Sequence, residues 1–314
     1  MIIKKVIIGL MLLLSINVFA QTSDILLTQQ WFSRINRNPA STGNSDKVDL
    51  FFLTRQQWYG VDDAPRTNLI NVHSYFDGIR SGLGLSVFYD KTGIATSQTV
   101  AKLCYAYHLN INENMLLSLG VSGGVLNKSV DFSKHELQDP EEYGMPTFPE
   151  GEESKTNADF DFGLELSTPK FLFGGSITHL GNQRDDLTSF TAAQHHYLYG
   201  RGNFVLDENF DLAPSIVYLN TGKINMLTVG SMLFYKKMYW IGIDYRPPTP
   251  SDFDIYDYSV ITAMIGVEWN LFRIGYSYDL SLGKLTNLAT STHELMLSFQ
   301  IEKSKKQNKV RFIP

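Results

Sequence analysis

An all-β fold, a transmembrane antiparallel β-barrel of about fourteen strands, is the class this sequence predicts, on three observations. Hydrophobic residues alternate with period two from about residue 47 to residue 302. The stretches between the alternating runs switch between tight and long. The less apolar face is rich in Gly and Ser as well as in charge.

The alternation is clearest in 158–167, where Ala158, Phe160, Phe162, Leu164 and Leu166 oppose Asp159, Asp161, Gly163, Glu165 and Ser167. In a strand these two sets stand on opposite faces. The same pattern sets Leu83, Leu85, Val87 and Tyr89 against Gly82, Gly84, Ser86 and an exceptional Phe88. It sets Leu103, Tyr105, Tyr107 and Leu109 against Lys102, Cys104, Ala106 and His108. Four runs in the last third repeat it, at 239–245, 261–269, 272–279 and 294–301. Weaker candidates lie near 48–56, 66–75, 115–126, 170–178, 194–205, 209–219 and 224–235. A strand of about ten residues crosses a bilayer when tilted. In the 115–126 run, Leu117, Leu119 and Val121 are expected to face lipid and Ser118 the lumen.

Alternation is shared with a soluble β-sandwich, so the connections decide. Tight turns are predicted around Asp77-Gly78, Asn110 to Asn114, Pro169-Lys170, Asp207-Glu208, Lys236-Lys237 and Asn270. Longer connections are predicted at 57–65, 90–97, 127–157, 179–192, 246–256 and 281–290, with Asn220 to Lys223 a short exception. Short periplasmic turns and long outer loops are the habit of outer-membrane barrels. Gly and Ser on the polar face fit a crowded lumen better than a solvated sheet. Tyr105, Tyr107, Trp269 and Tyr276 are candidates for interfacial girdles.

Residues 1–20 read as a signal peptide. Lys4 and Lys5 form the positive region, Val6 to Val18 the apolar one, and Val18-Phe19-Ala20 the cleavage site. The apolar run, interrupted by Ser15 and Asn17, is short of the roughly 20 residues of a spanning helix. No cysteine follows it to carry a lipid. The expected division is a periplasmic N-terminal segment at 21–46, the outer-membrane barrel at 47–302 and a basic periplasmic tail at 303–314. Removing Lys4 and Lys5 with the leader leaves 25 basic residues against 32 acidic ones, a net charge of −7. That balance argues against a nucleic-acid partner, which needs a basic surface.

Little points to catalysis. Cys104 is the single cysteine and falls in a predicted strand. His195 and His196 are adjacent, so a regular strand turns them to opposite faces. No zinc-protease, serine-hydrolase or phosphate-loop motif is present. The lumenal carboxylates Asp159, Asp161, Glu165, Asp244, Glu268, Asp279 and Glu294 are expected to neutralise Lys102, Arg201 and Arg273, because buried charges need partners. The acidic 127–157 stretch lacks calcium-loop spacing and reads as a solvated loop. No catalytic, cofactor or metal residue is assigned.

Ordered short motifs carry one further reading. Asn38-Pro39-Ala40 is followed by Arg55-Gln56-Gln57-Trp58, Gly60 and Ala64-Pro65. Then come Asp90-Lys91-Thr92-Gly93, the Gly120 to Val125 run with Asp131-Phe132-Ser133-Lys134, and Tyr276-Ser277-Tyr278-Asp279 with His293-Glu294. In this order, over roughly 30–301, the chain resembles the PorP/SprF family of Bacteroidetes outer-membrane proteins. The resemblance implies a non-enzymatic component of type IX secretion and, in gliding species, of gliding motility. Its partners would be outer-membrane lipid, the secretion machinery, a secreted cargo protein or adhesin, and peptidoglycan-associated proteins. The alternative is a passive transporter for small solutes. The acidic stretch near 136–156 and the basic tail depart from the family pattern.

The motifs also have structural readings. Pro39 biases Asn38 to extended backbone and so fixes where the chain enters the barrel. Arg55 is expected to pair with Asp62 or Asp63 at the rim, and Asp279 and Glu294 to accept hydrogen bonds across the closing strands.

Overall fold

The computed structural model describes residues 27–45, 47–134, 151–180, 192–221, 224–248, 259–282 and 291–303. The expected signal peptide, the centre of the acidic stretch and most of the basic tail lie outside these residues, as do the middles of the 179–192, 246–256 and 281–290 connections.

Among the described residues, fifteen strand segments form one antiparallel sheet. They are β1 (Val48–Gln56), β2 (Arg66–Phe76), β3 (Ser81–Thr92), β4 (Thr96–Asn112), β5 (Met115–Asp131), β6 (Glu152–Ser167), β7 (Phe171–Thr178) and β8 (His195–Gly202). The remainder are β9 (Phe204–Val205), β10 (Phe210–Thr221), β11 (Ile224–Tyr235), β12 (Tyr239–Arg246), β13 (Ser259–Trp269), β14 (Phe272–Leu282) and β15 (Ser291–Ile301). Both β8 and β9 pair with β10, either side of a break at Asn203, and together make one stave. Each stave pairs with the next in sequence, and β1 pairs with β15 from Val48↔Ile301 to Gln56↔His293. The result is a closed fourteen-stranded barrel, which leaves no exposed sheet edge in the membrane.

Burial runs opposite to that of a soluble protein. The lipid-side set of β4, Leu103, Tyr105, Tyr107 and Leu109, is exposed, whereas Lys102, Cys104, Ala106 and His108 are buried. In β6 Phe160, Phe162 and Leu164 are exposed, and Asp159, Asp161 and Glu165 buried. An apolar outside around a polar inside is stable only where hydrocarbon replaces water. Strands β4 and β5 have 17 residues each and β6 has 16. Since about ten suffice to span, this part of the wall projects past the bilayer at the long-loop end. It also shortens two expected loops: 90–97 is mostly strand, turning at Gly93 to Ala95, and both flanks of 127–157 are strand.

The six tight turns fall where expected, between β2 and β3, β4 and β5, β6 and β7, β9 and β10, β11 and β12, and β13 and β14. Arg80, Lys236, Lys237 and Asn270 take left-handed backbone there, with φ of 52°, 52°, 55° and 57°. An aromatic band follows this rim. Phe171 packs on Phe204, Phe210 on Tyr235 and Phe272 on Phe299, with centroids 5.7, 5.1 and 5.0 Å apart. Such rings favour headgroup level.

Leu119 is exposed on the outer wall, while Ser118 is buried and bonded to His108. Leu119→Arg is therefore expected to cost about 2–4 kcal/mol, seen as a lower unfolding midpoint in lipid vesicles. Leu119→Phe should stay within about 0.5 kcal/mol. Arginine tolerated as well as phenylalanine would contradict the register.

Candidate functional site: a self-plugged lumen

Residues 27–45 carry no strand periodicity, and their place is the main departure from the expected layout. A periplasmic segment was expected; the described part instead lies inside the barrel, with every residue from Leu27 to Gly43 buried apart from the half-buried Asn36. The physical reason is its composition. Trp31, Phe32 and Ile35 need burial, and Arg34 needs a counter-charge; the lumen supplies both.

The plug crosses the lumen in stages. Leu27 leads into a short helical turn at Thr28–Trp31, where the Glu294 carboxylate accepts the amides of Thr28 at 3.1 Å and Gln29 at 2.7 Å. Those amides are the unpaired donors at the start of a helical turn. Phe32 then packs on Trp240 at 4.9 Å between centroids, and the Arg273 guanidinium stacks 4.7 Å from the Phe32 ring. This half of the lumen is apolar, with Phe51, Leu53, Leu69, Met232, Phe234 and Met264 in the same cluster.

The centre of the plug is ionic. Arg34 reaches Glu165 on β6 through two hydrogen bonds, at 3.1 and 3.3 Å, with both side chains 1% exposed. Tyr199 donates to the same carboxylate at 2.6 Å. Arg37 stacks over Trp31 at 5.0 Å and Tyr199 at 4.7 Å, and its carbonyl accepts from Ser176 at 2.6 Å. A bidentate arginine on a buried carboxylate gives both strength and orientation.

Asn38-Pro39-Ala40 closes the far side. Asn38 is extended, caps the turn Pro39–Ser41 by accepting from the Ala40 amide at 2.9 Å, and donates to Tyr199 and the Leu164 carbonyl, each at 2.9 Å. It lies against Gly163, and Pro39-Ala40 against Gly120. Next, His108 donates from Nε2 to the Thr42 carbonyl at 2.9 Å. A carbonyl only accepts, so Nε2 carries a proton; in the neutral ring Nδ1 then accepts a hydrogen bond from the Ser118 hydroxyl, at 2.8 Å. The motif was expected to fix where the chain enters the barrel; it does so from within the lumen.

The wall charges pair partly as expected. Lys102 meets Asp161 at 2.7 Å and Asp159 at 2.9 Å, with Ser122 also bonded to Asp161 and His179 to Asp159. Arg273 meets Glu268 at 2.6 Å. Arg201 stacks over Trp31 and Phe234 at 5.6 and 5.7 Å. Glu165 serves the plug. Arg55 does not use Asp62 or Asp63 as expected. It binds Asp279 at 2.5 Å and Glu294 at 3.1 Å inside the barrel, because closure of β1 on β15 sets Arg55 opposite Glu294. Asp279 and Glu294 do accept hydrogen bonds across the closing strands. Asp63 pairs instead with Lys91, at 3.3 Å.

What remains open is small. A cavity of about 30 Å³, lined by Gln30 and Asn36 of the plug and by Ser86, Lys102, His179 and Tyr197, has room for one or two waters. His195 is buried and His196 faces the other way, half-buried. Among the described residues no group of His, Cys, Asp and Glu is arranged to hold a metal ion. The site is a mechanical closure built from ion pairs and aromatic contacts. Sequence reasoning missed Trp31, Arg34, Arg37 and Tyr199. The available signal was the cluster of small residues on the lumen face, which something had to fill.

The sequence signature of the family described as "Type IX secretion system membrane protein PorP/SprF" matches residues 19–299. No curated protein matches the chain. Among solved structures it is similar to the toluene transporter TbuX of Ralstonia pickettii, at 10% identity and a TM-score of 0.55, over 86% of this chain and 93% of that one. It is also similar to the CymD monoaromatic hydrocarbon channel, at 11% and 0.55 over 91% and 96%. The toluene transporter TodX of Pseudomonas putida follows at 9% and 0.54 over 91% and 96%. At these identities the likeness is one of fold.

Proposed function

The chain belongs to the PorP/SprF family of type IX secretion system membrane proteins, and on that premise we propose that it works as a closed platform in the outer membrane and not as a pore. Residues 1–20 serve as its export signal. The barrel docks secretion components and supports export or surface attachment of cargo proteins such as adhesins, including those of gliding motility. It acts by binding, without chemistry of its own. The observation that carries this reading is the lumen filled by residues 27–45, with Arg34 and Glu165 at its centre. A pore lined by such a network would have to break buried ion pairs for each opening, at several kcal/mol each.

The second reading, a passive solute transporter, draws on the hydrocarbon transporters that share the fold. Three measurements separate them. The intact protein in planar bilayers should show no steady conductance, and vesicles carrying it should take up no monoaromatic solute. Affinity capture from outer membranes should recover secretion components or a large secreted adhesin. Solute uptake by the purified barrel, with secretion normal in a deletion strain, would overturn the platform reading.

A further inference from the structure

The lipid-facing wall carries a concave feature at the short-turn rim. It is a crevice of about 480 Å³ across β12, β13 and β14, lined by Met238, Tyr239, Val267, Trp269, Phe272 and Ile274. Its lining is almost wholly apolar, and Trp269 is 72% exposed. A tryptophan that exposed at the level of the aromatic band needs an amphipathic neighbour: hydrocarbon for the ring, headgroup for the N–H.

The turn at the lip of the crevice supplies charge. Lys236 and Lys237 both adopt left-handed backbone, and the Met238 amide closes the turn on the Tyr235 carbonyl at 3.1 Å. Two left-handed central residues define a turn that Asn-Gly fits best, because a β-carbon crowds its own backbone there. Two lysines at these positions are a local strain, and retained strain is a pointer to function. Among the described residues neither ammonium has a carboxylate partner. Lys236 Nζ lies 5.3 Å from the Tyr235 ring, and Asp207 on the neighbouring turn is occupied by the amides of Asn209 and Phe210.

We propose that this crevice is a binding site for an anionic phospholipid of the inner leaflet. An acyl chain lies against Val267, Trp269 and Ile274, and the headgroup phosphate meets Lys236 and Lys237. Short turns face the periplasm in outer-membrane barrels, which places the site in the phospholipid leaflet. An apolar lining at hydrocarbon depth under a cationic lip is complementary to a lipid and not to a folded protein. The proposal is independent of the role in secretion.

The test is native mass spectrometry of the full-length mature protein released from nanodiscs of mixed phosphatidylglycerol and phosphatidylcholine. Retained lipid should favour phosphatidylglycerol by roughly fivefold per lysine. In K236N/K237G the preference should vanish, although the barrel folds at least as well because Asn-Gly relieves the turn. Brominated phosphatidylglycerol should quench the fluorescence of the parent protein more than that of Trp269→Phe, the difference reporting occupancy of the crevice. Equal retention of both lipids by the parent, an unchanged preference in the double variant, or preferential retention of lipopolysaccharide or of a protein at this rim would each overturn the proposal.

Discussion

Gly120→Val is expected to turn the closed barrel into a conducting one. A β-carbon at Gly120 would stand 2.0 Å from the Ala40 amide nitrogen and 2.3 Å from the Pro39 carbonyl carbon. Both are backbone atoms, so no rotamer change removes the clash. Either the wall or the plug must move. Around Gly120 the wall is held by continuous ladders, β5 pairing β4 from Thr96↔Val130 to Asn110↔Leu116 and β6 from Leu116↔Ser167 to Asp131↔Glu152. The plug here is held by side-chain bonds of Asn38, Ser176 and His108. Each of these contributes about 1 kcal/mol, far less than the paired ladders, so the plug yields. The measurement is single-channel conductance in planar bilayers, with heat-modifiable gel mobility confirming that the barrel has folded. Gly123→Ala is the control. Gly123 faces lipid, and its added carbon would touch only the Phe160 ring, at 3.3 Å. A folded Gly120→Val barrel that stayed electrically silent would sink the idea that residues 27–45 are what closes the lumen.

The second large effect is at the closing seam. Arg55→Ala should destabilise the barrel by about 3–5 kcal/mol, the usual cost of removing one partner from a buried ionic network. Asp279 would keep the Thr262 hydroxyl, at 2.7 Å, as its hydrogen-bond donor. Glu294 would keep the two amides of the plug. All three side chains are at most 4% exposed, so water cannot replace the guanidinium without opening the lumen. The loss should appear as a lower urea midpoint in lipid vesicles. Adding Glu294→Gln should recover part of it, since it removes an unpaired buried charge, although the single amide oxygen can accept from only one of the Thr28 and Gln29 N–H groups, which sit on different carboxylate oxygens. Asp62→Ala and Asp63→Ala, at the rim, should move the midpoint by no more than about 0.5 kcal/mol. An Arg55→Ala barrel as stable as its parent would show the triad to be energetically idle.

These two sites also mark how far the sequence could be read. The strand pattern was legible because alternation is local. Phe160, Phe162 and Leu164 already differ from Asp159, Asp161 and Glu165 before any partner strand is known. The six tight turns were legible for the same reason. Strand extent was less so: Thr96, Ser97 and Glu152 to Asn157 are polar, where no apolar face is required, and they read as loop.

Arg55 shows the limit more sharply. Proximity along the chain favoured Asp62 or Asp63, while the true partners lie more than two hundred residues away and meet Arg55 only when the last strand pairs with the first. The plug is the larger case. Its sequence has no period, and its partners Glu165, Tyr199 and Glu294 come from three different staves. Gly82 and Gly163, on the polar face, point to a crowded lumen; what crowds it is not legible in them.

Sequence alone therefore determined the barrel, its approximate strand number, its lipid face and its tight turns, because period-two burial in a membrane is decided residue by residue. Only the tertiary structure decided that the lumen is closed, which charges hold it closed, and that residues 27–45 lie within it. Those depend on contacts between distant staves, which come into being when the barrel closes.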